Sequence, residues 1–331
     1  MSYTNGLDNP ELYFQCKAYS GTGSSNAITL DGDENMQPDL VWIKRRNNSN
    51  YHVLYDSVRG VQKYLSSNVA DAEGTNANGL TAFGSDGFTV GSDGDANHSS
   101  GTYVAWCWKE SATAGFDILT FTGNASGNQT ISHNLSAVPK CWHIKRLDQA
   151  SNWCTYHVGL GGANKNLFLN TNNSVQTDTG IWNNTLPTSS VFSVGNNIDA
   201  NGSGASHVWY GWSEKQGFSK IGSYTGNGNA DGATVCCGFS PAYVLIKSSA
   251  SGVWRLWDNK RDPSNPNTAN FQTNASDAEY DDASVAIDFL SSGFKARSTD
   301  SSYNGSGTSY VYMAFAEAPF VNSNGVPCNA R

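Results

Sequence analysis

Short runs in which apolar and polar residues alternate, broken by turns rich in Gly, Asn and Ser, extend along the whole chain. This period of two is that of half-buried strands, and no stretch shows the 3.6-residue apolar spacing of an amphipathic helix. One run recurs. Pro38-Asp-Leu-Val-Trp-Ile43-Lys44 returns as Pro139-Lys-Cys-Trp-His-Ile144-Lys145 and as Pro241-Ala-Tyr-Val-Leu-Ile246-Lys247, at intervals of about 101 and about 102 residues. Phe14, Phe116 and Phe218 open the copies, and Tyr103-Val-Ala-Trp-Cys-Trp108, Val208-Trp-Tyr-Gly-Trp212 and Tyr310-Val-Tyr-Met-Ala-Phe315 close them with strands apolar on both faces.

The phasing predicts a leader over 1–12, repeats over 13–115, 116–217 and 218–321, and a tail over 322–331. About seven or eight strands per copy give an all-β chain of three tandem antiparallel β-sandwich domains of jelly-roll or lectin-like type. In the recurring strand Ile43, Ile144 and Ile246 are expected in the core. The opposite face (Leu40, Trp42, Lys44 and their counterparts) is mixed, and is expected to be partly covered or partly wet. Tyr19-Ser-Gly21, Phe121-Thr-Gly123 and Tyr224-Thr-Gly226 read as strand ends where glycine supplies a tight turn. Ser85-Asp-Gly87 and Ser291-Ser-Gly293 read as two-residue hairpin turns. Asp56 and Asp258, three before Arg59 and Arg261, are expected to bond the turns that follow them; the middle repeat has His157 and Leu160 instead.

Composition narrows the function classes. A net charge of -8 and a pI near 5.1 argue against a nucleic-acid partner, which needs clustered Lys and Arg. No apolar run is long enough for a membrane span, and the start has no signal-peptide pattern, so neither membrane insertion nor secretion is expected. Seven cysteines in no metal-ligand spacing read as mostly reduced, packed thiols, with Cys141 and Cys154 as the pair that flanks one hairpin.

Candidate chemistry is sparse. Asp93, Asp95 and Asn97 alternate oxygen ligands as a calcium loop does, although the positions of an EF-hand are not matched; the same residues suit a polar turn. Six scattered histidines make no zinc motif, and no other cofactor is implied. Asp56, Asp258, Glu279 and Asp281 are acids from which a hydrolase pair would have to come. Trp182, Trp254 and Trp257, with Trp42, are candidate stacking platforms for a glycan, against the commoner reading as core residues.

Met36-Gln-Pro-Asp-Leu-Val-Trp-Ile-Lys44, Asp56-Ser-Val-Arg-Gly60, Asp86-Gly-Phe-Thr-Val90 and Tyr103-Val-Ala-Trp-Cys-Trp-Lys109, with Asp258-Asn-Lys-Arg-Asp262 and Met313-Ala-Phe-Ala-Glu-Ala-Pro-Phe320, resemble an uncharacterised repeat domain of tailed-bacteriophage virion proteins. The resemblance covers nearly the whole chain and implies concanavalin-like sandwiches in a non-enzymatic virion protein. The expected role is a tail-associated or fibre adhesin that meets a host-surface glycan and other virion proteins, as a homo-oligomer in a virion assembled in the host cytoplasm. A capsid decoration protein and a polysaccharide depolymerase are the alternatives.

Overall fold

The computed structural model describes Leu7 and residues 9–318. The expected tail over 322–331, Cys328 and most of the leader lie outside these residues. The chain is all-β. In the first repeat, β1 (Phe14–Ser20), β2 (Asn26–Thr29), β3 (Leu40–Arg45), β4 (Val53–Asp56), β5 (Lys63–Ser66), β6 (Gly74–Thr75), β7 (Leu80–Gly84), β8 (Gly87–Val90) and β9 (Thr102–Trp108) build two antiparallel sheets. The larger has the order β1-β9-β3-β4-β5-β6 and the smaller β2-β8-β7. The same six-strand order recurs from Phe116–Thr122 to Ser206–Trp212 and from Ser219–Thr225 to Ser309–Phe315. The only helices among the described residues are single turns, and none is long and apolar enough to cross a membrane.

The middle repeat differs where β7 would lie: its small sheet has two strands, Gln129–Ser132 and Val191–Val194. Trp182, in the irregular segment at that place, fills the gap against Trp142 and Tyr156. The two-residue turns are as expected, with Gly84 opposite Gly87 and Leu290 opposite Gly293. Gly87 has φ +115, and a Cβ there would lie 2.0 Å from the Ile28 carbonyl oxygen, so the turn admits no side chain. Gly21, Gly123 and Gly226 have a different reason from the one expected. None has positive φ; each passes so close to the opposite loop that a Cβ would meet a carbonyl oxygen at 2.1, 2.3 and 2.4 Å.

Ile43, Ile144 and Ile246 are fully buried, each in a core enclosed by the two sheets of its own repeat. The opposite face of the same strands is not wet at all. Leu40 is 1%, Trp42 3% and Lys44 0% exposed, and the corresponding residues of the other repeats are equally covered. The three large sheets turn these faces towards each other and share one central core, in which Val104, Trp106 and Trp108 meet Val208, Tyr210, Trp212, Val311, Met313 and Phe315. Leu7, from the leader, is part of it.

The contacts between repeats are cyclic. The Asn50 amide donates to the Ser276 carbonyl, Ser151 to Ala70 and Gly252 to Asn172, so that repeat one holds repeat three, two holds one and three holds two. Glu279 donates to Arg46, Glu73 to Leu147 and Val175 to Ser249 in the reverse sense, so each pair of repeats is bonded in both directions. Trp153 Nε1 reaches the Ser66 carbonyl at 2.9 Å and Trp254 Nε1 the Phe168 carbonyl at 3.0 Å, while His52 stands at the matching place in repeat one. The ring is therefore closed: the first and third repeats bond as directly as consecutive ones, with pseudo-three-fold symmetry.

A buried asparagine holds the outer loops of each repeat. Asn97, Asn201 and Asn304 are 0% exposed. Their Oδ1 atoms accept from the Thr22, Asn124 and Asn227 amides, and their Nδ2 atoms donate to the Gly91, Gly195 and Ser298 carbonyls. Asn201→Ala strands these backbone groups without partners, which costs about 1–3 kcal/mol. Thermal melting should register the loss, and an unchanged melting temperature would show that the clamp is dispensable.

Candidate functional site

The recurring strand ends in a lysine whose position is architectural. Lys44 Nζ donates to the Arg45 and Ser276 carbonyls at 3.0 and 3.1 Å, Lys145 to Arg146 and Ala70 at 2.9 and 3.1 Å, and Lys247 to Ser248 and Ala250 at 2.9 and 3.2 Å. Burial pushes each ammonium down to about 8. Two of the three lysines thus bond the neighbouring repeat as well as their own loop.

Asp56 and Asp258 do bond the following turns, through the Arg59 and Arg261 amides at 2.8 and 2.9 Å. They also bind the guanidinium of the same arginine, and an atom of the next repeat: Tyr210 Oη donates to Asp56 and Trp106 Nε1 to Asp258. Arg261 further bonds Glu279, which Arg46 holds in a two-pronged pair. In the middle repeat His157 takes this place as a neutral imidazole, accepting from the Gly159 amide at Nδ1 and donating from Nε2 to the Tyr312 carbonyl. Asp281 accepts from the Thr268 hydroxyl. Asp258 and Glu279 thus share Arg261, Asp56 has its own arginine in the first repeat, and each of these acids is engaged by a guanidinium.

An acid pair that the sequence reading missed lies between the first two repeats. Glu110 is pushed up to about 8 by burial and by the neighbouring Asp117 and Asp39 carboxyls.

The glycan platforms are corrected. Trp182 and Trp257 are 0% and Trp254 2% exposed, so no indole face is open to a ligand. Trp182 Nε1 donates to the Lys165 carbonyl, Trp254 lies in the central core against repeat two, and Trp257 packs edge-on against Tyr303. The commoner reading as core residues holds for all three, because a second sheet and a neighbouring repeat cover these strand-end aromatics.

The calcium set is corrected too. Asp93 precedes and Asp95 lies within a single helical turn, Gly94–Asn97. The Asn97 amide is spent on the loop clamp, and Asp95 Oδ1 accepts from Asn50 Nδ2 at 2.7 Å, so the three side chains do not converge. No cluster of three or more His, Cys, Asp or Glu able to hold a metal occurs among the described residues. Cys141 and Cys154 cannot bridge. Cys141 pairs with His157 and faces the central core, whereas Cys154 pairs with Ile144 and faces the core of its own repeat.

At one buried strand position the third repeat departs from the other two. Arg255 sits opposite Ile246, where the other repeats carry Val53 and Cys154. Its Nε donates to Ser302 Oγ at 3.1 Å and its Nη1 to Asn270 Oδ1 at 2.8 Å, and the Tyr280 ring centre lies 5.8 Å from the guanidinium carbon. The only sequence signal for it was a charged residue at a position that is apolar in the other two copies.

The family described as Domain of unknown function (DUF7483) matches residues 9–319 as one stretch, which takes in all three repeats. No curated protein matches the chain.

Proposed function

We propose a virion role for this chain, which belongs to the family described as domain of unknown function DUF7483: a non-enzymatic, tail-associated or fibre protein of a tailed bacteriophage that contacts the host surface. The observation that carries this reading is the closed ring. Three sheets share one core and are tied by cyclic hydrogen bonds, while buried asparagines hold the polar loops at the outer rim in fixed positions. Rigid display lowers the ordering cost of each contact, and many copies on one particle add through avidity. Other virion proteins and a host-surface glycan are its partners, in a homo-oligomer built into the virion. Engagement of the candidate acids in structural bonds supports a binding role over depolymerisation.

Capsid decoration is the second reading, favoured by the pseudo-three-fold body, whose shape suits a three-fold position on a shell. Immunogold labelling of particles separates the two. Label on the tail, together with purified protein that sediments with host cells, is expected; label on the head overturns the tail assignment. Shortening of host polysaccharide by the purified protein overturns the non-enzymatic one.

A further inference from the structure

The three joints of the ring share one design and differ in charge. Two residues beyond each closing strand stands a glutamate: Glu110, Glu214 and Glu317. Glu214 accepts from the Ile221 amide and Glu317 from the Cys16 amide, both at 3.3 Å, so the glutamate of one repeat caps the first strand of the next. In the joint between repeats two and three, the backbone bridge from Lys215 to Ser219 makes Glu214 and Lys220 cross-strand neighbours, and they form an ion pair at 2.7 Å. The bridge from Ser111 to Phe116 sets Glu110 opposite Asp117 in the same register. Gln15 fills that place in the joint between repeats three and one.

The first joint thus sets acid against acid where the second sets acid against base. Asp39 adds a third carboxyl, accepting from the Glu110 amide at 2.8 Å, where the other repeats carry Lys140 and Ala242. Asp117 is 1% exposed and Glu110 half-buried. Lys109 adjoins Glu110 in sequence and Lys215 passes Gly115 at the hairpin tip, yet among the described residues no cation pairs with Glu110, Asp117 or Asp39. His133, from the loop after Gln129–Ser132, is kept neutral by burial, with its ring bonded to the Leu135 amide and the Thr188 carbonyl. Glu317 is raised to about 7 by burial, but it faces the neutral Gln15 and is drawn back by Lys260.

We propose that the hairpin joining the first two repeats is a proton-operated latch, closed while Glu110 and Asp117 share one proton and opening locally when that proton leaves to solvent. One proton turns the repulsion of two facing carboxylates into an O–H···O bond. Asp117 accepts the Asn134 amide at 2.7 Å, which suits the ionised partner, so the proton sits on Glu110. Burial and the neighbouring acids raise Glu110 from an ordinary 4.5 to about 8. In the opened hairpin it returns to the ordinary value. The closed form is therefore favoured in full below 4.5 and loses that advantage as pH rises to about 8.

Site-resolved amide hydrogen exchange on the full chain tests the latch. The Phe116 amide donates to the Ser111 carbonyl at 3.1 Å and the Ser219 amide to the Lys215 carbonyl at 2.9 Å, so the lysine-paired joint is a reference within the same molecule. Global unfolding affects both amides alike and cancels in their ratio. From about pH 6 to about pH 8, protection of Phe116 relative to Ser219 should fall at least about tenfold. Glu110→Gln, whose side-chain N–H replaces the shared proton, should hold the ratio level. Asp117→Asn, which removes the facing charge, should do the same and serves if Glu110→Gln does not fold, as circular dichroism will show. The latch is overturned if the parent ratio stays level over this range, or if it falls as steeply in a folded variant as in the parent.

Discussion

Arg261→Met lowers the unfolding free energy by about 3–5 kcal/mol, the cost of leaving a buried charge without its partner. Arg261 has a fully buried side chain, bonds Asp258 and Glu279, and lies 4.4 Å from the ring centre of Phe271. Methionine fills much of the same volume but cannot neutralise Asp258, which is 0% exposed. The backbone amides and the Trp106 indole that remain around Asp258 satisfy its lone pairs without offsetting its charge. The effect should spread beyond the third repeat, because Asp258 and Trp106 form one of the bonds that close the ring. Urea unfolding measures the loss, and a change below about 1 kcal/mol would show that the Arg261–Asp258 pair does not hold the ring together.

Mild acid should destabilise the protein through its buried imidazoles, against a smaller opposite contribution from Glu110, whose raised pKa near 8 favours the folded chain as pH falls. Burial holds His143 down to about 3, His157 and His207 to about 4, and His52 well below the usual imidazole range. Below pH 6.5 the unfolded chain therefore binds more protons than the folded one. The stability from these groups is complete above 6.5 and falls as pH drops towards 4, by about 1.4 kcal/mol per pH unit for each group that titrates only when unfolded. His143 meets Trp254 and His157 the Tyr312 carbonyl, both of the third repeat, so protonation would place charge between repeats. At the alkaline end, Lys44, Lys145 and Lys247 act in the same sense: their pKa near 8 lies below the ordinary 10.5, so stability rises between those values. Urea midpoints from pH 7 to 4.5 should fall steadily, and His157→Asn should shallow the slope. A flat profile would contradict neutral burial of these imidazoles.

The repeat phasing, the strands and the inward isoleucines were legible because periodicity and spacing are local properties. Which face of a sheet meets water is not local. Leu40, Trp42 and Lys44 read as a mixed surface because an apolar face looks the same whether a second sheet or a neighbouring repeat covers it, and a lysine suggests solvent. Its ammonium is instead satisfied by carbonyls, one of them more than two hundred residues away in sequence. The Asn97 error has a similar origin. An Asp-x-Asp-x-Asn run offers the right oxygens for calcium, but whether they converge depends on Thr22 and Gly91, which the run does not contain. Asn201 and Asn304 at matching places carried the better signal, since a role repeated in three divergent loops points to folding rather than to a ligand. The surroundings of Arg255 were the least legible part, because Asn270, Tyr280 and Ser302 come from separate segments.

The shared centre also has a consequence for how such a molecule diversifies. Three identical chains around an axis must place the same side chain there three times, and three tryptophans at the level of Trp106 would compete for one space. A single polypeptide is free of that constraint and sets tryptophan, tyrosine and methionine at this level, so that bulk at one position is matched by slenderness at another. The same freedom lets one rim acquire a guanidinium while its two counterparts stay apolar. Joining the copies covalently thus separates the task of holding shape from that of gaining a new surface, and each can change without the other.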